Sequence, residues 1–396
     1  MDLSLCMIVK NEEASLPKTL NSVKGIVDEM VVLDTGSTDR TVEIARKFGA
    51  RVHLFEWCND FSIARNEALK YVQGKWVLVL DADEVLTSEI VPEMKQAMKS
   101  DRHLVINLIR HEVGASQSPY SLVSRLFRNH PEVRFSRPYH AMVDDSVQEL
   151  LQREPQWQVV YLSTIAILHY GYQPEAIAAQ DKYTKAKTAM EGFLASHPND
   201  AYTCNKLGAL YLQIGQLREG IELLERGLTA TAVEPLVLFE LHYHLGYAYT
   251  RLNNLNAALK HYKAATEQPI LTQLKIGAYN NLGNLLLSAG KLTTAKTVYE
   301  TILKIDPSLA TGHNNLGMTL KAIGQMEAAI ASYQKAIDLN PDYADAYQNL
   351  GVILLKIGRV PESLSAFKNA IGIHERQNPT EAQRLRQGLQ EMGFQV

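Results

Sequence analysis

The sequence predicts an α/β domain followed by an all-α array of helical repeats. Three observations carry this. Residues 1 to about 111 alternate short apolar runs with amphipathic segments, the grammar of a largely parallel sheet with helices packed on it. From about 112 to 172 the apolar runs follow one another without helical signals between them, the pattern of a β-rich lobe. From about 174 onward a Leu-Gly pair recurs at Leu282–Gly283, Leu316–Gly317 and Leu350–Gly351, a period of 34 residues.

The chain has 396 residues, which leaves room for two or three domains. A formal net charge of −3 supplies no basic field for nucleic acid. No uninterrupted apolar run reaches the ~18 residues that a membrane-spanning helix needs. The start, "MDLSLCMIVKNEE", lacks the basic residues and small-residue cleavage site of a signal peptide. Cys6, Cys58 and Cys204 are too scattered for a zinc site or a disulfide framework, so a cytoplasmic location is expected.

In order, "LSLCMIV" reads as a strand and "EEASLPKTLNSV" as a helix. "EMVVLDT" is a second strand, and Thr38 or Asp39 is placed to cap the helix "RTVEIARKFGA". "RVHLFEW" is a third strand and "DFSIARNEALKYVQG" a helix. "WVLVL" is the fourth strand, and a helix near 88–100 precedes the apolar run "HLVINLI". "YSLVSRLFRN", "EVRFSRPYHAMV" and "QWQVVYLSTIAILHYGY" then read as strands.

The first four strands end in acids: Glu12, Asp34, Asp60, and Asp81 with Asp83. In open α/β sheets the site lies beyond the carboxyl ends of strands, so these residues outline one acidic crevice. Asp81 and Asp83 are two apart and share a face if extended. Two such charges repel unless a cation lies between them or one is protonated. A hard divalent ion carrying phosphate oxygens satisfies both, while the plainer alternative is that "DADE" caps the next helix. "DTGSTDRT" is a hydroxyl-rich turn beside the same crevice, and Arg65 is a donor suited to a diphosphate.

Residues 1 to about 172 resemble a family 2 glycosyltransferase of the GT-A fold. The matching segments are "SLCMIVKNEEASLPKTLNSV", "DEMVVLDTGSTDRTVEIARKFGARV", "DFSIARNEAL" and "GKWVLVLDADEVL", in the family's order. Bacterial enzymes with attached tetratricopeptide repeats, and bacteriocin-type peptide S-glycosyltransferases, are similar. The resemblance implies a nucleotide-sugar donor, commonly a UDP-sugar, with Mn²⁺ or Mg²⁺. It places base and ribose near Val9, Glu12, Asp34, Thr35 and Gly36, with Asp60 and Arg65 around the nucleotide. Asp81 and Ala82 would lie against the nucleotide, and Asp83 would bind the metal. His169, in a His-Tyr-Gly segment like that of the similar subgroup, would be a second metal ligand, and a mixed oxygen and imidazole shell favours Mn²⁺ over Mg²⁺. The family inverts the anomeric centre by one displacement, which needs a base. Relatives often carry a His-Glu pair there; this chain has His140 followed by Ala141. Asp144, Asp145 and Glu84 are the base candidates, with His140 near acceptor or phosphate. A thiol acceptor, ionised near neutrality, would need little help from a base.

The 34-residue period resembles the tetratricopeptide repeat and covers 201–377 as five repeats. Earlier Leu-Gly pairs stand at Leu207–Gly208 and Leu245–Gly246. Each Gly is followed seven positions later by a turn residue: Gly215, Asn253, Gly290, Gly324 or Gly358. Residues 173–200 are expected to form a connecting helix or partial repeat, and 378–396 a capping helix. Asn280, Asn281, Asn314, Asn315 and Asn349 are spaced to line the groove of such an array, where amides can hold an extended peptide. The expected activity is metal-dependent transfer of a hexosyl or N-acetylhexosaminyl group to an acceptor, with a peptide or protein recruited by the repeats as the candidate acceptor. The alternative is a nucleotide-sugar-binding scaffold of little or no activity, acting through its repeats.

Overall fold

The computed structural model describes residues 1–115, 118–171 and 179–394. Its first element, β1 (Leu3–Val9), pairs in parallel with β2 (Glu29–Asp34) on one side and β4 (Trp76–Val79) on the other. β3 (Arg51–Leu54) adds to β2, also in parallel. The first strands read as unbroken apolar runs because both faces are covered. Leu3, Leu5, Met7 and Val9 pack with Leu16, Leu20 and Val23 of α1 (Leu16–Val23). Cys6, Val31, Leu33, Val77 and Val79 pack on the opposite face with Ala64 and Ala68 of α3 (Phe61–Leu69). Leu5 and Leu78 are fully buried, so truncating either to Ala costs about 2–5 kcal/mol.

The sheet is completed by β5 (Glu84–Leu86), β6 (His103–Glu112), β7 (Tyr120–Arg128) and β8 (Gln158–His169), in the order β3-β2-β1-β4-β7-β6-β8-β5. β7 runs antiparallel to both β4 and β6, whereas β6 and β8 are parallel. The sheet is therefore mixed beyond β4. The β6–β7 register shifts between Ile106↔Leu126 and Leu108↔Val123, which sets Ser124 and Arg125 of β7 opposite the single residue Asn107 of β6. A bulge of this kind re-aims side chains.

Several sequence expectations change here. The third strand stops at Leu54, and Asp60 is the N-cap of α3, accepting from the backbone N–H of Ser62 and Ile63. The "DADE" segment caps no helix: Glu84 opens the short strand β5, and α4 (Val91–Ala97) starts later. Residues 132–143 do not form a strand. Arg137 and His140 both take positive φ, so only an isolated bridge, Ser136↔Met142, survives. A helix the sequence reading missed, α5 (Asp144–Arg153), follows directly and buries Val147 and Leu150 in the α3-side core. At α2 (Thr41–Lys47) it is Asp39 that accepts from the Thr41 backbone N–H, at 2.9 Å.

The remaining described residues are helical. α6 (Ala179–Ser196) lies in the expected connecting region, of which 173–178 fall outside the described residues. Five helix pairs follow: α7 (Ala201–Gln213) with α8 (Leu217–Leu228), α9 (Pro235–Arg251) with α10 (Leu255–Glu267), α11 (Ile276–Ser288) with α12 (Leu292–Ile305), α13 (Ala310–Ile323) with α14 (Met326–Leu339), and α15 (Ala344–Lys356) with α16 (Val360–Gln377). α17 (Pro379–Glu391) closes the series, its N-terminus capped by the Asn378 side chain. The turn residues Gly215, Asn253, Gly290, Gly324 and Gly358 all have positive φ. Among the described residues no helix is long and apolar enough to cross a membrane.

The chain divides into two compact units, Met1–Val237 and Leu238–Val396. The first thus holds α6 to α8 as well as the sheet. Arg137 is one reason: its guanidinium pairs with Asp145 at the start of α5 and with Asp200, the N-cap of α7, at 2.7 Å. Tyr139 packs on the cluster of Met190, Leu194 and Leu207 from α6 and α7.

Candidate active site

β1 and β2 end together: the Thr35 N–H and hydroxyl both donate to the Val9 carbonyl, at 2.9 and 3.1 Å. The turn beyond is built on Asp34, whose Oδ2 accepts from the N–H of Gly36 and Ser37 at 3.1 and 3.0 Å. Gly36 has φ +99°, which a side chain would resist. Asp34 is buried and its Oδ1 has no partner. Glu12, beyond the end of β1, accepts from the Ser15 hydroxyl at Oε2, at 2.5 Å. Burial first, and then the charges of Asp83 and Asp81, raise the Glu12 pKa despite that bond, so these carboxylates share one electrostatic neighbourhood.

The acids that follow β4 are held by a ladder of alternating charge. Arg65 of α3 donates to Asp81 Oδ1 at 2.6 Å, and Arg125, in the β7 bulge, donates to Oδ2 at 2.7 Å. Arg125 also lies 3.9 Å from Glu84, which accepts from Arg110 at 2.8 Å. Arg110 bonds Glu112 at 2.8 Å, Glu112 bonds His169 Nδ1 at 2.5 Å, and His169 Nε2 faces Asp83 Oδ2 at 3.2 Å. The ladder leaves the DxD segment at Asp81 and returns to it at Asp83. Strand register explains the closure: His169 on β8 is opposite Glu112 on β6 and Glu84 on β5. The backbone of the segment is fixed too, with Thr19 of α1 donating to the Ala82 carbonyl at 2.6 Å and Glu84 Oε2 accepting from the Asp81 N–H at 2.9 Å.

The electrostatics follow. Burial alone would raise the Asp81 pKa, but Arg125 and Arg65 outweigh it and hold the carboxylate ionised far below its usual range. Burial opposes charge on His169, yet Asp83 and Glu112 raise its pKa to about 9. Glu112 is held down to about 2 against its burial, chiefly by His169 and Arg110. Two guanidinium nitrogens, Arg65 Nη1 and Arg125 Nη1, are buried and without a partner. Buried polar atoms in folded proteins are almost always satisfied. Here two cationic donors and one carboxylate oxygen, that of Asp34, are buried and unpaired.

The acceptor-side candidates occupy different settings. Glu84 is fully buried and committed to the Asp81 N–H and to Arg110. Asp145 is held by Arg137 and by the Ser136 hydroxyl. His140 is exposed, and its carbonyl accepts from the Tyr202 hydroxyl of α7 at 3.4 Å. Asp144 opens α5, with Oδ1 on the Ser124 hydroxyl at 2.8 Å, and burial raises its pKa. Asp60 faces its own helix as a cap, with Ser62 Oγ on its Oδ1 at 2.6 Å.

Sequence reasoning missed Arg110, Glu112 and Arg125. A signal existed for two of them: Arg110 and Glu112 are two apart on a strand and so share a face. Nothing comparable marked Arg125, which depends on a bulge. Four of the asparagines expected to line a groove are bonded to one another: Asn315 Nδ2 donates to Asn280 Oδ1 at 2.7 Å, Asn349 Nδ2 to Asn314 Oδ1 at 3.0 Å, and Asn314 Nδ2 to Asn315 Oδ1 at 3.3 Å. Asn280 and Asn314 are buried. Asn281 reaches the Tyr262 phenol. One donor and one acceptor per amide pair are thus spent inside the array.

Residues 4–160 match the model of "Glycosyl transferase family 2". An "Uncharacterized glycosyltransferase" of Rickettsia bellii is 30% identical over 200 residues, 48% of this chain and 67% of the relative. The chain belongs to glycosyl transferase family 2. Tetratricopeptide models match 239–268, 276–309 and 319–358 of the same chain. A "TPR repeat-containing protein" of Synechococcus elongatus is 44% identical over 293 residues, 74% of this chain and 73% of that one. The "SPbeta prophage-derived glycosyltransferase SunS" of Bacillus subtilis is 27% identical over 198 residues, 49% of this chain and 45% of the relative. The acids beyond the strands therefore belong to a family 2 glycosyltransferase domain, and the helix pairs matched between 239 and 358 are tetratricopeptide repeats.

A divalent ion fits the family 2 crevice on two observations of chemistry. Asp83 and His169 converge, and the other imidazole nitrogen is held by a carboxylate, the usual outer partner of a metal-bound His. Among the described residues no group of three or more His, Cys, Asp or Glu is placed to hold a metal ion, and Asp83 and His169 are the pair that would hold it.

Proposed function

We propose that the chain transfers a hexosyl or N-acetylhexosaminyl group from a UDP-sugar to an acceptor, with inversion and with Mn²⁺ favoured over Mg²⁺. The observation that carries this reading is the trio of unpaired buried atoms. Asp34 Oδ1 is an acceptor for base or ribose donors, while Arg65 Nη1 and Arg125 Nη1 are donors for diphosphate oxygens. Asp81, with both oxygens already on guanidiniums, keeps the two arginines aimed and charged. Asp83 and His169 would hold the ion, which supplies Lewis-acid stabilisation of the departing diphosphate.

On the acceptor side Asp144 is the base. Its carboxylate takes the proton from the attacking hydroxyl or thiol as the new bond to the anomeric carbon forms and the bond to the nucleotide breaks. Burial raises its proton affinity, which suits that role, and Ser124 fixes one oxygen. Asp145 orients α5 through Arg137. The tetratricopeptide repeats recruit the acceptor, a peptide or protein, to the same chain.

The test needs no known acceptor: hydrolysis of a panel of UDP-sugars with Mn²⁺. Wild type is expected to turn over one of them, Asp83→Ala to lose this, and Asp144→Asn to lose it while still binding UDP. Unchanged turnover in Asp83→Ala would refute the metal assignment. UDP-sugar binding without turnover by wild type would instead support the scaffold reading, which the replacement of the family's usual acid by Ala141 favours.

A further inference from the structure

His169 is followed by Tyr170 and Gly171, and the chain folds back over the DxD segment, with the Tyr170 N–H on the Asp83 carbonyl at 3.0 Å. A Cβ built on Gly171 would lie 2.6 Å from His169 Nε2 and 3.0 Å from Asp83 Oδ2. The missing side chain therefore leaves open the space between the two atoms expected to bind the ion. Gly171 does not have the positive φ that favours glycine, so alanine is compatible with its backbone. The glycine is needed for room, not for conformation.

Glu112 faces the other side of the same imidazole. It is buried, and its Oε1 is fixed by the Ser121 hydroxyl at 2.7 Å and by Arg110 Nε at 2.8 Å. Its Oε2 is left for His169 Nδ1, which makes Nδ1 the donor to Glu112 and turns Nε2 toward the gap at Gly171. Three strands and a return turn thus converge on one small volume.

Resting on the metal-dependent reading above, we infer that Glu112 and Gly171 build the ion's position, Glu112 as the positioning residue that aims His169 Nε2 and Gly171 as the residue whose absent side chain leaves room for the ion. Outer-shell partners of metal-bound His typically contribute about ten- to hundredfold in affinity.

The experiment uses the full chain with Mn²⁺ alone as probe. Free Mn²⁺ is measured by electron paramagnetic resonance, and imidazole ligation by the nitrogen modulation of the spin echo. Wild type is expected to bind Mn²⁺ with imidazole modulation. Gly171→Ala should still unfold in one cooperative thermal transition yet lose at least about tenfold in affinity along with the modulation, and Glu112→Gln should lose about ten- to hundredfold. Gly171→Ala decides the matter if Glu112→Gln fails to fold. Wild-type affinity and modulation in Gly171→Ala would overturn the inference with the metal reading intact. A wild type that takes up no Mn²⁺, alone or with UDP, would overturn the metal reading and the inference with it.

Discussion

The crevice end of the sheet and the helix pairs of Leu238–Val396 solve the packing problem in opposite ways. The site is held by a ladder in which most charges meet two opposite partners, from α3 and the end of β4 across β5, β6, β7 and β8, with partners up to 86 positions apart in sequence. The repeats are held by one apolar contact used again and again. Gly246 lies against Tyr262, Gly283 against Tyr299, Gly317 against Tyr333 and Gly351 against Phe367, sixteen residues later each time. A charge ladder is costly to interrupt, because each removal strands a desolvated partner. A repeated contact loses only its own share, since repeat stability is close to a sum over neighbours.

That contrast is open to direct attack. The largest effect is expected from Arg110→Ala, which strips Glu84 and Glu112 of their shared cation and should cost about 3–5 kcal/mol. Trp57, Trp76 and Trp157 are the chain's three tryptophans and all lie in the first unit, so denaturation followed by their fluorescence reads this loss. A cost below about 1 kcal/mol, the range of exposed pairs, would show that the ladder is solvated and the contrast false.

In the repeats, Gly317→Ala puts a methyl 2.7 Å from the Tyr333 ring and should cost about 1–3 kcal/mol by far-ultraviolet circular dichroism. A neutral result would mean that Tyr333 shifts freely. Smaller still, Asn315→Ala removes one rung of the amide ladder, at about 1 kcal/mol on the same assay.

The smallest change concerns pH. Burial raises the folded pKa of Asp144, so its contribution is favourable below the usual carboxylate range and is lost as pH rises through the folded value. Asp144→Asn should therefore be at least as stable as wild type at neutral pH, and the advantage should vanish in acid. A destabilised variant at neutral pH would make Asp144 a structural residue rather than a base held at the expense of stability.

The difference between the regions also governs what could be read in advance. The repeats were legible almost to the residue, because their contacts are local and periodic, and Gly290, Gly324 and Gly358 mark their turns in the sequence itself. The acids at four strand ends were legible as a group, though Asp60 proved to be a helix cap and "EVRFSRPYHAMV" no strand. There the alternation of apolar residues was real, but Pro138 and the positive φ of Arg137 and His140 broke the extended chain. Arg125 was invisible because a one-strand pattern does not announce a bulge in the pairing of two.

By itself the sequence determined the order of the elements, the family 2 domain and its repeats, and the placing of acids beyond strands. These follow from periodicity and from residue types that act within one strand or one turn. Tertiary structure alone decided what those acids touch. Asp81 became the anchor of two arginines, Glu84 a buried link, and Glu112 the partner of His169, because register across separate strands sets which charges meet and desolvation makes each meeting obligatory.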